Sequence, residues 1–347
     1  MINKSDITFV VTGKIITAGK YATSKCLQSI RQYYQGATII LVIWDSDRDA
    51  VIGLTYDKLL VMHDDDTENY PYYLEGVNDG DKRINSVNKQ QMFACAGGGA
   101  ASTKYIARVR SDFIFRNDRM LKFYEKWSSI LSSREEVLTV FKERVLAYMV
   151  NMVNPRLHGG EFSFQLSDCF LFGRREDILY IFDGHQEGVE NINYFDIYKE
   201  SSWANPHGFR HKFTSEQFLL LNVINKSGLT MHLPRWYCDK DEAYNEGCER
   251  FLASNIIIGD SRQLGFISKF KDCFYRRHYT LDYLLQSYSK YIEKQEAVTG
   301  YIRRKKLHEV CRGGERFFYI LKNNLFRYAS KLRRLASVCR IKDKLFE

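Results

Sequence analysis

A run of charged residues at 104–112 has the composition of a site for a phosphorylated ligand. If this run is a β-strand whose pleat continues to its end, Arg108, Arg110 and Asp112 project from one face. Two cations and a carboxylate are costly to bury unpaired, so one interpretation is a structural arginine–aspartate pair. The other is that Asp112 holds a divalent cation while an arginine faces a diphosphate, because Mg²⁺ is usually held by carboxylate and substrate phosphate together.

Two further carboxylates lie at the predicted start of a strand or helix. Asp168 opens the predicted strand 168–172, where it either hydrogen-bonds a sugar hydroxyl or starts a turn. Glu216 falls in the first turn of a helix predicted over 214–225. An acidic residue there either complements the helix dipole or belongs to a capping box, or it acts as a general base if it points into a cleft.

The elements that must position these side chains alternate between strand and helix in the first 115 residues. Continuous apolar strands separated by helices predict an α/β fold, with a mostly parallel sheet covered by helices on both faces. The predicted elements are strands over 7–12, 37–44, 58–62 and 104–115, and helices from Thr23 and over 84–96. Beyond them, we predict helices over 134–150, 174–182 and 214–225 and strands over 168–172 and 229–233.

Ligands of such sheets bind beyond the carboxyl ends of the strands. Thr12 and Gly13 follow the first predicted strand, and Asp45 follows the second. These residues, together with Arg110 and Asp112, are therefore the candidate ligand-binding residues of this half of the chain.

The net charge of +9 is concentrated near one end of the chain. Residues 301–347 carry 14 Lys and Arg against 4 Asp and Glu, a local balance of +10, so residues 1–300 are nearly neutral. This distribution disfavours a nucleic-acid-binding protein, whose basic residues would extend over its body. Apolar residues between Phe318 and Leu335 recur with helical spacing and would form one apolar seam on a helix. We expect this segment either to bind an anionic membrane surface or to pack on the body or on a second subunit.

The sequence also predicts a cytoplasmic location. No run approaches the roughly 20 apolar residues that span a bilayer, and the short apolar run at the N-terminus lacks the flanks of a signal peptide. The eight cysteines are scattered without a C-x-x-C pair, which favours reduced structural thiols.

The order and spacing of these motifs resemble the WavE family of lipopolysaccharide-synthesis proteins, regarded as glycosyltransferases of Gram-negative bacteria. The similarity extends from about Ile7 to Ile258 and is strongest in KYIARVRSD at 104–112. The other matching segments are ITFVVTG at 7–13, CLQSIR at 26–31, IILVIW at 39–44, YDKL at 56–59, RNDR at 116–119, SD at 167–168, FG at 172–173 and SEQF at 215–218.

The resemblance implies a GT-A-like fold. Residues 1–279 would form the catalytic domain, with a nucleotide-sugar-binding half over 1–115 and an acceptor-binding half over 116–279. Residues 280–347 would form basic C-terminal helices that are membrane-peripheral or packed.

The resemblance also implies roles for individual residues. Asp112 resembles the last carboxylate of an Asp-x-Asp motif, which holds Mn²⁺ or Mg²⁺ on the donor diphosphate. Arg110 replaces the first carboxylate of that motif, so the alternative is that cations of the protein replace the metal. Thr12-Gly13 stands where the family has Gln-Gly, and Arg83 matches its arginine-rich segment before the fourth strand.

The implied activity is transfer of a sugar from a nucleotide-sugar donor to a glycan or glycolipid acceptor of the cell surface, such as a lipopolysaccharide core, O-antigen or capsule precursor. Glu216 would be the base near the acceptor, and Asp168 is the second catalytic candidate. The remaining expectations are attachment to the inner face of the cytoplasmic membrane through 301–347, a homo-oligomer as an option, and no nucleic-acid partner. The alternatives are a nucleotidyl- or phosphoglycosyl-transferase of the same pathway and, from another class, a non-enzymatic nucleic-acid-binding protein.

Overall fold

The computed structural model divides the chain into two units, Met1–Glu293 and Lys294–Glu347. All elements named below belong to the first unit. In the second unit, residues 294–303 are described and 296–303 are helical, so nearly all of the predicted basic segment 301–347 lies outside the described residues. The residues that the structure describes are 1–63, 74–75, 82–83, 87–184, 191, 194–198, 206–207, 211–270 and 277–303.

Seven of the described strands form one mostly parallel sheet. The strands are β1 Ile7–Thr12, β2 Thr38–Trp44, β3 Lys58–Met62, β4 Leu74–Glu75, β5 Lys82–Arg83, β6 Tyr105–Arg110, β7 Ile114–Phe115, β8 Val145–Tyr148, β9 Phe170–Arg174, β10 Ile256–Gly259 and β11 Phe266–Ile267. The order in the large sheet is β10-β8-β9-β6-β1-β2-β3. Only β9 runs antiparallel to its neighbours in this sheet. The carboxyl ends of the other six strands therefore meet at one edge, together with the amino end of β9.

Helices cover both faces of this sheet. Gly97 lies so close to Val10 that a Cβ at position 97 would overlap its side chain, so helix Val87–Gly99 packs directly on this face. The neighbouring residue Phe9 points to the opposite face, where its ring lies 4.9 Å from that of Tyr34, just past helix Thr23–Tyr33. The other described helices are Arg119–Ile130, Arg175–Phe182, Tyr194–Tyr198, Ser215–Ser227, Glu242–Asn255, Ser261–Leu264 and Leu281–Tyr291. The predicted α/β architecture with a GT-A-like fold is confirmed.

Two of the predicted elements are wrong. In place of the helix over 134–150, the structure has a short 3-10 helix, Glu136–Leu138, and the fully buried strand β8. Arg144 just before β8 is itself buried and donates to the backbone carbonyls of Ser133 and Ala253, which local periodicity does not reveal. Residues 229–233 form no strand, and the edge of the sheet is β10 instead.

The expected pleat through Asp112 is also wrong. β6 ends at Arg110, and Ser111 and Asp112 form a turn. The chain then leaves the large sheet, because β7 pairs antiparallel with β11 instead.

Among the described residues, no helix combines the length and the apolar character that a membrane span requires.

Candidate active site

The end of β1 is tied to the turn that follows β6. Ser111 donates its backbone N–H to Thr12 O at 2.8 Å and its hydroxyl to Lys14 O at 2.6 Å. Gly13 between them has φ +110°, a conformation that glycine adopts without the strain of a side chain. The predicted ligand-binding residues Thr12 and Gly13 therefore lie directly beside the turn that carries Asp112.

Arg110 and Asp112 form the ion pair that one interpretation of the sequence predicted. Arg110 Nε lies 3.0 Å from Asp112 Oδ1, and Arg110 Nη2 lies 2.9 Å from Oδ2. A second cation, Lys269 Nζ, lies 3.4 Å from the same Oδ2. Burial by itself would raise the pKa of Asp112, but the hydrogen bonds and charge of Arg110 and the charge of Lys269 hold it below its ordinary value. Together, Asp112, Arg110 and Lys269 carry one more positive charge than negative charge.

The residues around Asp112 do not fit a protein-held divalent cation. Both carboxylate oxygens of Asp112 already accept from Arg110, and a cation placed there would face Arg110 and Lys269. Within the described ranges, no three His, Cys, Asp or Glu side chains are grouped as metal ligands would be. Hard cations favour several oxygen ligands, and this turn offers one neutralised carboxylate.

Glu216 is not part of the helix cap that the sequence suggested for it. The capping box of helix Ser215–Ser227 is formed by Thr214 and Gln217, while hydrogen bonds from the Glu216 backbone N–H and the Thr214 side chain to the Glu216 carboxylate favour its ionised form. Glu216 Oε1 accepts a hydrogen bond of 2.7 Å from Asn151 Nδ2. Burial, followed by the negative charge of Asp168, raises the pKa of Glu216 to about 7. A carboxylate that titrates near neutral pH is suited to accept a proton.

Asp168 lies just before β9, at the same edge of the sheet. Since β9 runs antiparallel, its amino end meets the carboxyl ends of β6 and β8. The Asp168 side chain is buried, and its charge acts on Glu216 and also on Arg108 and Arg110. Together with Asp112, the ion-pair partner of Arg110, these four residues form one charged cluster that brings the predicted carboxylates and cations together.

A second group of polar side chains is buried beneath helix Val87–Gly99. Arg108 is 3% exposed, and its Nε and Nη1 have no hydrogen-bond partner among the described residues. Burial lowers the pKa of Arg108, although the charge of Asp168 opposes this effect. The amide of Gln91 and the hydroxyl of Thr12 are likewise buried and unpaired in the described part of the chain.

Of the two remaining predicted site residues, the structure places the side chain of Asp45 only. Asp45 follows β2 at the same edge of the sheet but is exposed and paired with Arg48, whose hydrogen bond lowers the pKa of Asp45. Arg83 belongs to the short strand β5, and its side chain lies outside the described residues.

Sequence reasoning missed two residues that contact the cluster, Lys269 and Asn151. Lys269 follows the two-residue strand β11, which is too short to leave a periodic pattern. Asn151 follows β8, so correct assignment of that strand would have placed it at the carboxyl edge. The structure gives Asn151 a φ of +61°, a region that asparagine adopts more readily than most residues.

The whole cluster combines two functions at one edge of the sheet. Arg110, Lys269 and Arg108 can attract and stabilise negative charge on a phosphorylated group. Glu216, held by Asn151, can accept a proton close to neutral pH.

Comparison with known protein families identifies a match. The family model described as WavE lipopolysaccharide synthesis matches residues 7–307, so the chain belongs to this family. No curated protein matches the chain.

Proposed function

We propose that this member of the WavE lipopolysaccharide synthesis family is a glycosyltransferase. It would move a sugar from a nucleotide-sugar donor to a glycan or glycolipid acceptor of the cell surface. The observation that carries the proposal is Glu216, a carboxylate that accepts a 2.7 Å hydrogen bond from Asn151 and lies in the same charged cluster as Asp168 and Arg110. Glycosyl transfer needs both a proton acceptor and a stabiliser of the leaving phosphate.

In the proposed reaction, the acceptor hydroxyl attacks the anomeric carbon of the donor. Its oxygen forms the new bond while the bond from that carbon to the phosphoryl oxygen breaks, and the electron pair stays on the leaving diphosphate. Glu216 takes the proton of the hydroxyl, and Asn151 positions its carboxylate. Asp168 keeps the pKa of Glu216 high enough for it to hold that proton.

Arg110 and Lys269 would stabilise the negative charge that builds on the leaving diphosphate. Asp112 then serves to orient the two cations, since it lies between them and is 1% exposed. Groups that are fixed in advance around the developing charge stabilise a transition state without reorganising during the reaction.

The test is a thermal-shift panel with UDP, GDP, ADP, CDP and dTDP, followed by turnover with the sugar conjugates of the nucleotides that bind. A ligand at 100 times its Kd adds about 2.7 kcal/mol of stability, which should raise the Tm by several degrees. We expect one diphosphate to stabilise the protein and its sugar conjugate to release that diphosphate in the presence of acceptor. No stabilisation by any nucleotide would refute the proposal, and release of a sugar 1-phosphate in place of the nucleoside diphosphate would indicate nucleotidyl transfer instead.

We also propose that the basic segment 301–347 holds the enzyme at the inner face of the cytoplasmic membrane. The support is its local charge of +10, in a chain that is otherwise nearly neutral. Each cation close to an anionic bilayer contributes about 1 kcal/mol to binding. A lipid-linked acceptor would then be reached from the membrane surface.

A further inference from the structure

Arg108 is a buried charge with few polar contacts in the described part of the protein, and its guanidinium lies 5.7 Å from the centre of the Phe182 ring. Its side chain is 3% exposed, and one of its contacts is a 3.4 Å hydrogen bond from Nη2 to Gln90 Oε1. The other two guanidinium nitrogens have no hydrogen-bond partner among the described residues. The charge of Asp168 acts on Arg108, but a buried guanidinium with two nitrogens that meet no acceptor among the described residues is unfavourable, so this environment favours an added anion.

The surroundings of Arg108 favour an anion. Val10 and Ile106 lie against Gly97 and Gly98 of helix Val87–Gly99, so this face of β1 and β6 is covered by the helix. Since the helix connects to the amino end of β6, its first turns lie toward the carboxyl edge, where Gln90 meets Arg108. A helix N-terminus carries partial positive charge, which adds to that of the guanidinium.

Two further unpaired groups lie on the same face. Side-chain alternation places Thr12 on the face of Val10, and β1 pairs with β6 so that Val10 lies opposite Arg108. The Thr12 hydroxyl and the Gln91 amide are buried without partners in the described residues. Both groups can donate a hydrogen bond, as an anionic ligand requires.

The spacing along β6 suggests which anion this is. Arg108 and Arg110 are two residues apart on one face, about 6.6 Å along the strand, and each guanidinium reaches several ångströms beyond its backbone. Two phosphoryl groups joined by one oxygen fit between two such side chains. A single phosphoryl group bound at Arg110 would leave Arg108 without an anionic ligand.

We propose that Arg108, with Thr12 and the first turns of helix Val87–Gly99, forms an internal phosphoryl subsite, so that β6 binds both phosphoryl groups of a diphosphate. Arg110 and Lys269 bind one phosphoryl group, and Arg108 binds the other. This inference rests on the proposed function, because the diphosphate is that of the sugar donor. Arg108 would thus set the preference for diphosphate over monophosphate donors.

The decisive variant is Gln90→Glu, which places a carboxylate at the position that already contacts Arg108. This internal partner should raise the Tm of the ligand-free protein and compete with the ligand anion. We expect the affinity for the nucleoside diphosphate that binds best in the panel, and for inorganic pyrophosphate, to fall about 10–100-fold. Gln32→Glu, the same change at an exposed helical position, should alter neither affinity.

Arg108→Gln and Lys269→Gln complete the experiment. Each should weaken the diphosphate by about tenfold or more, whereas only one of them should weaken the matching monophosphate, because a single phosphoryl group occupies one subsite. If Arg108→Gln does not fold, Gln90→Glu carries the test by itself. Wild-type affinity of Gln90→Glu for the diphosphate and pyrophosphate would overturn the subsite while leaving the proposed function in place. A wild-type protein that binds no nucleotide would overturn both.

Discussion

Lys269 is held opposite Asp112 by the register of a short antiparallel strand pair. In the pairing of β7 with β11, Phe266 lies opposite Phe115 and Ile267 lies opposite Ile114. Continuing this antiparallel register by two residues places position 269 opposite position 112, and their charged atoms are 3.4 Å apart. A cation from the far end of the chain thereby joins the turn after β6. This contact depends on β7 leaving the large sheet, which the pattern of the sequence did not indicate.

The first prediction concerns Lys269. We expect Lys269→Gln to reduce kcat by about 10–100-fold, because it removes one cation that faces the leaving diphosphate. The matched control is Lys122→Gln, since Lys122 forms an equally long 3.4 Å ion pair with Asp118 on the protein surface. This control should retain wild-type kcat, and an equal loss in both variants would indicate a general charge effect instead of a local one.

The second prediction is that turnover does not depend on a divalent cation. The carboxylate of Asp112 is already neutralised by Arg110 and Lys269, so EDTA should leave the initial rate unchanged within about twofold. The measurement is release of nucleoside diphosphate before and after chelation. A rate that vanishes in EDTA and returns with Mn²⁺ or Mg²⁺ would show that a metal displaces this pairing.

The third prediction concerns Glu216 as the proton acceptor. Glu216→Gln should lower kcat by about 10²–10⁴-fold while donor affinity stays within a few-fold of wild type. In the wild-type enzyme, kcat should rise with pH through a midpoint near 7, because the carboxylate must be ionised to accept a proton. Glu246→Gln, on the exposed part of helix Glu242–Asn255, serves as control. Loss of donor binding together with turnover would contradict a role restricted to the base.

The fourth prediction separates the two neighbours that tune Glu216. The hydrogen bond from Asn151 stabilises the ionised carboxylate, so Asn151→Gly should move the midpoint of the pH–kcat profile upward. Glycine keeps the φ of +61° at this position without strain. Asp168→Asn removes a like charge and should move the same midpoint downward. Shifts in the same direction for both variants would argue against this assignment.

The fifth prediction concerns stability and follows from the same pKa. Folding raises the pKa of Glu216 from 4.5 to about 7, so the folded protein binds more protons than the unfolded chain between these pH values. The free energy of unfolding therefore falls as pH rises through this window. Relative to wild type, Glu216→Gln should gain about 1–3 kcal/mol at pH 8 compared with pH 4, as measured by urea unfolding. A pH-independent difference would contradict the raised pKa.

The membrane proposal is checked by flotation of the full-length protein with liposomes that contain anionic lipid. Substituting Lys331, Arg333 and Arg334 by glutamine should reduce the bound fraction, since each cation contributes about 1 kcal/mol near an anionic surface. The same substitutions should leave binding to neutral liposomes unchanged. Equal binding of both proteins to anionic liposomes would remove this segment from membrane attachment.

The sequence by itself determined the parallel half of the sheet. Continuous apolar runs predicted β1 and β2 nearly residue by residue, because strands buried on both faces leave no other pattern. The half-buried edge strand β3 was also predicted with its observed bounds. The same rule placed Thr12, Asp45 and Asp112 at the edge where ligands bind. The family relationship was also readable, since it depends on the order of motifs along the chain.

Tertiary structure alone decided which of those edge residues act together. Asp45 is at the correct edge but pairs with its local neighbour Arg48, whereas Asp168 joins the cluster because β9 runs antiparallel. The contacts from Asn151 to Glu216 and from Lys269 to Asp112 bridge 65 and 157 residues, respectively. Such contacts have no local signal in the chain, because they arise from strand order and register. The unpaired state of Arg108 likewise became evident only when helix Val87–Gly99 was placed over β6.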